Sequence, residues 1–188
     1  ITWTAVMQMV EAGKIDLDKD INAYLDFEIP PYDGKPVTMR NLMTHTAGFD
    51  EVQRGLNSYD IKDIPTLAVA MKRQVPARIY APGSTPAYSN YGTALAAYIV
   101  ERVSGISFYD YVEQRIFTPA GMTHSTMRAQ LPARLEPLLA KGYTLGSGKP
   151  GRPELNSFAR AGGLAASGAD LGRFMIAHLD NGAPLLKP

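Results

Sequence analysis

Tyr88, Ser89 and Asn90 stand together after a proline- and glycine-rich stretch and just ahead of a long apolar pattern. Their side chains have a definite chemistry. A phenol with an ordinary pKa near ~10 is a poor base at neutral pH, but an ammonium beside it favours the phenolate, which then takes a proton from a serine hydroxyl. A carboxamide two residues on both donates and accepts, so it holds a substrate carbonyl or amide, or the lysine that tunes the phenol. Taken alone, the tripeptide has a second reading: Ser89 or Asn90 is a good N-cap, and the three residues then only open a helix.

Other constellations fail on context. Gly146 to Gly151, "GSGKPG", has the form of a dinucleotide fingerprint, but that fingerprint must open a helix, and Pro150 and Pro153 lead instead into the polar "ELNS". A phosphate-binding loop would need Gly at position 143 and Ser or Thr at 150, where Tyr143 and Pro150 stand, so the stretch reads as a turn. His45, His124 and His178 lie far apart without an H-x-x-x-H pair, so no zinc ligand set is present. His178 falls on the apolar face of a helix as a packed or partly exposed residue, and His45 sits at a helix end, where its ring nitrogen is expected to bond free carbonyls. Asp16, Asp18 and Asp20 recur at every second position, but Ile21 and Phe27 replace the Gly and Glu of a calcium loop, leaving a solvated face of an extended connection.

The elements that must position Tyr88 and Asn90 are mostly helical. Trp3, Val6, Met7 and Val10 repeat at helical spacing, Gly13 follows as a left-handed cap, and this first helix reads as missing its start. Thr38 caps a short helix with Met39, Leu42 and Met43 inward and Gly48 at its end, and Asp63 to Gln74 reads as another with Pro65 in its first turn. The Pro76 to Pro86 loop delivers the chain to Tyr88. Beyond it Tyr91, Ala94, Leu95, Tyr98, Ile99 and Val103 form one apolar stripe that Gly105 closes. Ser107 with Asp110 and Ser167 with Asp170 open two further helices by the capping-box pattern. Phe108, Tyr111, Val112 and Ile116 face inward on the first, with Pro119 as its stop, and Leu171, Phe174, Met175 and His178 on the second, with Asn181-Gly182 at its end. "KGYTL", residues 141–145, reads as a strand.

With 188 residues, 45% hydrophobic and 20% charged, the chain buries one substantial core. Its net charge of +1 is interspersed, with no basic stripe to follow a phosphate backbone, which excludes nucleic acid as a partner. The absence of cysteine excludes disulfides, thiolate metal sites and a cysteine nucleophile. No apolar stretch reaches the ~18 residues of a membrane-crossing helix.

The blocks "TWTAVMQMVEAGKIDLD", "VTMRNLMTHTAGF", "PGSTPAYSNYGTALAAYIVERVSGISFYDYVEQRIFTPAGM" and "AGGLAASGADLGRFM" together resemble the serine β-lactamase-related family, which includes class C β-lactamases, D-alanyl-D-alanine carboxypeptidases, D-aminopeptidases and penicillin-binding-protein-like esterases. The resemblance implies a mainly α chain with minor β: the helical subdomain and adjoining parts of the β-lactamase/transpeptidase-like α/β fold, residues 1–188 being one partial domain that lacks the terminal strands. It implies acyl transfer to serine with an acyl-enzyme, no cofactor and no metal, a small-molecule or peptide acyl substrate, and a periplasmic or cell-envelope setting. Of the family's three motifs only Y-x-N maps, with Tyr88 as general base or proton shuttle and Asn90 as substrate-orienting amide. S-x-x-K and the K-T-G or H-x-G strand have no counterpart: Ser84, Ser104 and Ser107 lack a lysine three residues on. The nucleophile is therefore expected ahead of Ile1, this chain alone is expected to be inactive, and its uncovered surface is expected to favour self-association. Gly162-Gly163 resembles a glycine pair at the rim of the family's cleft, though a tight turn explains it equally. A non-catalytic cell-wall-binding or regulatory module with the same fold is the alternative.

Overall fold

The computed structural model describes residues 1–51, 57–146, 148–156 and 159–187. Its centre is one helix, α4 (Asn90–Ser104), which Ser89 caps by accepting the Gly92 N–H and which ends at a left-handed Gly105 with φ of 76°. The stripe expected on one side of α4 is only part of what it buries. Ala96, Ala97 and Val100 are as inaccessible as Leu95 and Ile99, because α1 (Thr2–Glu11), α2 (Met39–Met43), α3 (Leu67–Arg73), α5 (Phe108–Val112) and α6 (Ala159–Gly162) all pack against it. Alanines at these positions let neighbouring backbones approach closely, so a helix clad on every face reads in sequence as weakly one-sided.

The surrounding helices start and stop largely by local chemistry. Thr38 and Asn41 form a reciprocal capping box on α2, and Ser107 caps α5, which continues as a wider π-type turn through Glu113–Phe117. α1 ends with Gly13 at φ of 67°. Its buried side is Thr2, Ala5, Val6 and Met9, whereas Trp3, Met7 and Val10 are half-buried, so the inward face is turned from the expected one. Thr4 is buried as well, and its hydroxyl reaches the ring of His178 at 3.3 Å. α3 begins at Leu67 under a Thr66 cap, four residues later than the pattern predicts, because Asp60 caps a separate 3-10 turn at Ile61–Asp63. Likewise Asp20 caps a 3-10 turn at Ile21–Tyr24 and Asp18 pairs with Arg40 at 2.7 Å, so the acidic connection is partly a turn rather than extended throughout.

Two antiparallel ladders of two-residue strands tie distant segments: β1 (Asn57–Ser58) with β3 (Leu155–Asn156), and β2 (Ser125–Thr126) with β4 (Ala165–Ala166). "KGYTL" is not among them. Residues 141–145 are exposed throughout and fold back in turns, with Gly148 N–H donating to Leu145 O and Gly151 N–H to Gly142 O; a strand needs one face against a core, and this segment has none.

The last helix, α7 (Gly168–Leu179), leaves Leu171, Met175, Ile176 and Leu179 exposed, and Asp170 and Ala177 are its buried residues. The expected inward face of Leu171 and Met175 therefore points outward. Ala177 and the half-buried Phe174, the latter as expected, pack against the core, and a polar cluster anchors the start of α7. The fully buried Asp170 carboxylate accepts from the His124 N–H at 2.7 Å, the Ser125 hydroxyl at 2.8 Å and the Arg173 guanidinium at 2.7 Å, pinning the first turn of α7 to the start of β2. Burial disfavours this carboxylate's charge, but the hydrogen bonds from Ser125 and His124 and the nearby cations outweigh it and hold the group below the usual carboxylate range. Replacing Asp170 with Ala strands these donors around a void; denaturant unfolding is expected to show a loss of about 3 to 5 kcal/mol, and a loss under about 1 kcal/mol would show that water replaces the carboxylate.

Candidate active site

Two tyrosines three residues apart meet opposite fates at the start of α4. Tyr91 is sealed, 1% exposed, its ring edge-on to Phe49 at 5.2 Å and its hydroxyl donating to the Met71 carbonyl at 2.9 Å. Burial pushes that phenol's pKa well up, which suits an anchor and not a base. Tyr88 is 61% exposed and stands in the loop just ahead of the helix. Its hydroxyl donates to Asn90 Oδ1 at 3.0 Å, so the two residues singled out from sequence are in direct contact.

The backbone beneath them is held by His45. α2 ends at Met43, and His45, not Gly48, takes the left-handed turn that closes it, at φ of 53°; histidine tolerates that region better than most residues. The turn aims the ring at the incoming loop. His45 O accepts the Ala87 N–H at 2.7 Å, and His45 Nδ1 accepts the Ser89 N–H at 3.3 Å. The ring then lies against Tyr88 with centroids 4.8 Å apart. His45 therefore does not bond free carbonyls as expected: a main-chain N–H can only donate, so Nδ1 is the unprotonated nitrogen and the proton sits on Nε2. Desolvation lowers the pKa of this ring, against the opposing pull of the Glu51 carboxylate, in keeping with a neutral imidazole. His178 instead donates from Nδ1 to the Phe174 carbonyl at 2.8 Å, and it belongs to the α7–α1 contact rather than to this site.

Glycine is required three residues after His45. Gly48 has φ of 78°, and a Cβ there would come within 2.0 Å of the Tyr80 carbonyl oxygen. This close approach lets residues 48–50 pair with 77–80, through Ile79 N–H to Gly48 O and Asp50 N–H to Ala77 O, both at 2.9 Å. The pairing carries Glu51 to the N-terminus of α4, where one carboxylate oxygen accepts the Asn90 main-chain N–H at 2.9 Å and the other accepts Asn90 Nδ2–H at 2.7 Å. Glu51 thus satisfies one of the donors that every helix start leaves free. Nothing in the sequence pattern singles it out, because it lies 39 residues from Asn90 and only the His45–Gly48 turn brings them together.

Gly162 and Gly163 line a separate cavity of about 700 Å³, together with Asn57, Leu131, Leu155 and Leu164. Gly162 ends α6, which packs on α4, and its φ is not in the left-handed region.

Solved structures share this arrangement of helices. The chain aligns over 99% of its length with the octameric penicillin-binding protein homologue from Pyrococcus abyssi, covering 44% of that chain at 26% identity and a TM-score of 0.81. The fold is therefore β-lactamase/transpeptidase-like, in its helix-rich part. Among curated proteins, PbpX of Bacillus subtilis, which carries a penicillin-binding-protein name, is 33% identical over 184 residues, 94% of this chain and 43% of PbpX. Lovastatin esterase of Penicillium rubens is 27% identical over 231 aligned positions, 100% of this chain and 55% of the esterase. The chain spans about half the length of these curated relatives. The family described as Beta-lactamase matches residues 1–188, and the chain belongs to that family of serine acyl hydrolases.

The neutral state of His45 gives the site a pH signature. The ring binds a proton more weakly in the folded chain than in the unfolded one, so its stabilising contribution is complete above the ordinary histidine pKa of about 6.5 and declines as pH falls below it. Replacing His45 with Gln keeps an acceptor for the Ser89 N–H but removes the titration. Thermal midpoints measured from pH 7.5 to 5 should therefore fall less steeply in the variant, and parallel slopes would show that His45 does not carry this dependence.

Proposed function

We propose that residues 1–188 are the helical part of a serine acyl hydrolase domain in which Tyr88 moves the proton and Asn90 positions the substrate. The nucleophilic serine and its lysine come from an S-x-x-K segment elsewhere in the polypeptide. Serine Oγ attacks an amide, ester or lactam carbonyl while the Tyr88 phenolate, formed beside the lysine ammonium, takes the hydroxyl proton. That proton goes to the leaving group, and water then hydrolyses the acyl-enzyme to regenerate serine and release the acid. Backbone N–H groups stabilise the oxyanion. Substrates are met in the periplasm or at the cell envelope.

The observation that carries this reading is an exposed phenol already bonded to a carboxamide whose orientation is held from behind, on the first turn of the most buried helix. A core or capping role would leave the phenol inside; here Ser89 does the capping and Tyr91 does the packing. Three proteins assayed side by side test it: the polypeptide with its native flanking sequence, the same carrying Tyr88→Phe, and the 188-residue chain. With nitrocefin or a p-nitrophenyl ester the first should turn over with an acylation burst. The second should lose about 10²- to 10⁴-fold in kcat at unchanged melting temperature, and the third should be silent. Full turnover by Tyr88→Phe removes the catalytic role, and activity in the 188-residue chain removes the need for an outside nucleophile.

The exposed stripe of Leu171, Met175, Ile176 and Leu179 on α7 supports self-association of the 188-residue chain. Light scattering across a concentration series should show mass rising above the monomer; one monomeric mass throughout refutes it.

A further inference from the structure

Glu51 has no role in the proton transfer just described, yet it makes two contacts to the residue that is read as holding the substrate. We infer that Glu51 is a positioning residue that locks the Asn90 carboxamide with its oxygen toward Tyr88 and its nitrogen away. This rests on the proposed acyl-transfer site and deepens it.

The lock follows from donor and acceptor chemistry. A carboxylate can only accept. Glu51 Oε2 is fixed by the Asn90 main-chain N–H at 2.9 Å, which places Oε1 2.7 Å from the Asn90 side-chain nitrogen. Turning the carboxamide over would set Oδ1 against Oε1, two acceptors with no proton between them, while Nδ2 faced a phenol hydroxyl that would have to rotate. In the observed orientation every proton points the same way along the row: Tyr88 hydroxyl to Asn90 Oδ1, and Asn90 Nδ2–H to Glu51. The charge at the end of the row strengthens both bonds.

What remains free on Asn90 defines what it offers. Among the described residues, one lone pair of Oδ1 stays open on the Tyr88 side, and one proton of Nδ2 stays open beside it. The lone pair suits an ammonium next to the phenol, and the proton suits a substrate carbonyl. A carboxamide free to rotate would present each arrangement part of the time; Glu51 leaves one. Glu51 also has no cationic partner among the described residues, the ion pairs there being those of Asp18, Asp26, Asp110, Glu113 and Asp170. Among the described residues its hydrogen bonds go to the Asn90 side chain and the α4 N-terminus.

The test uses the polypeptide with its native flanking sequence and the variants Glu51→Gln, Asn90→Ala and the two combined. A glutamine side chain has one acceptor and one donor group where two acceptors are needed, so Glu51→Gln should lower kcat/KM for a p-nitrophenyl ester by about 10- to 100-fold. In the Asn90→Ala background the same change should cost nothing further, since a residue acting through Asn90 has nothing left to act on. Equal losses in both backgrounds, or wild-type kcat/KM in Glu51→Gln, overturn the inference. The carboxamide resonances of Asn90 in ¹⁵N-labelled protein read the lock without turnover. One of the two protons should be shifted downfield and protected from exchange, and Glu51→Gln should abolish both effects. If no acyl donor is hydrolysed, the proposed function fails by itself. The resonances still decide the part played by Glu51, a changed signal upholding it and an unchanged one overturning it.

Discussion

The joint between α2 and α4 depends on where the Ser89 N–H goes. It lies at the cap of the central helix, where main-chain donors have no helical acceptor, and the nitrogen of one imidazole takes it. That single bond makes several demands at once. The ring must be neutral with its proton on Nε2, the residue carrying it must turn left-handed to face the loop, and the chain must pass close under Tyr80 three residues later, where only glycine fits. Tyr88 and Glu51 arrive on either side of the helix start as consequences of this one registration: Tyr88 because its backbone is stapled at Ala87 and Ser89, Glu51 because the strand-like pairing of 48–50 with 77–80 carries it there.

Much of the helical frame is legible from sequence because helix ends are decided locally. Thr38, Ser107, Ser167 and Gly105 act within three or four residues of themselves, and each does what its residue type implies. The pair Tyr88 and Asn90 is legible for the same reason, two residues apart on one turn. What is not legible depends on distant partners. The true inward side of α1 is set by which helices surround it; α7 is held by a buried carboxylate together with Ala177 and Phe174 rather than by Leu171 and Met175; and "KGYTL" has strand-forming residues but no sheet partner among the described residues. Sequence puts His45 at the right helix end but gives it the wrong bond, since a ring nitrogen beside free carbonyls is a reasonable donor until a main-chain N–H from 44 residues away competes for it.

A side-chain carboxamide is only as firmly placed as the element that carries it. α4 is buried around nearly its whole circumference, so the backbone of Asn90 has no latitude to drift, and Tyr91 beside it is pinned to α3 through the Met71 carbonyl. With the backbone immobile, the remaining freedom at Asn90 is rotation of its side chain, a flat torsion whose two orientations differ little in packing but exchange donor for acceptor. Steric fit cannot choose between them. Electrostatics can, and a carboxylate is the most decisive chooser because it repels one orientation and binds the other. The geometry thus divides the work by kind: hydrocarbon burial places the helix, and one charged side chain, delivered by a glycine-dependent turn, settles which end of the amide faces the phenol.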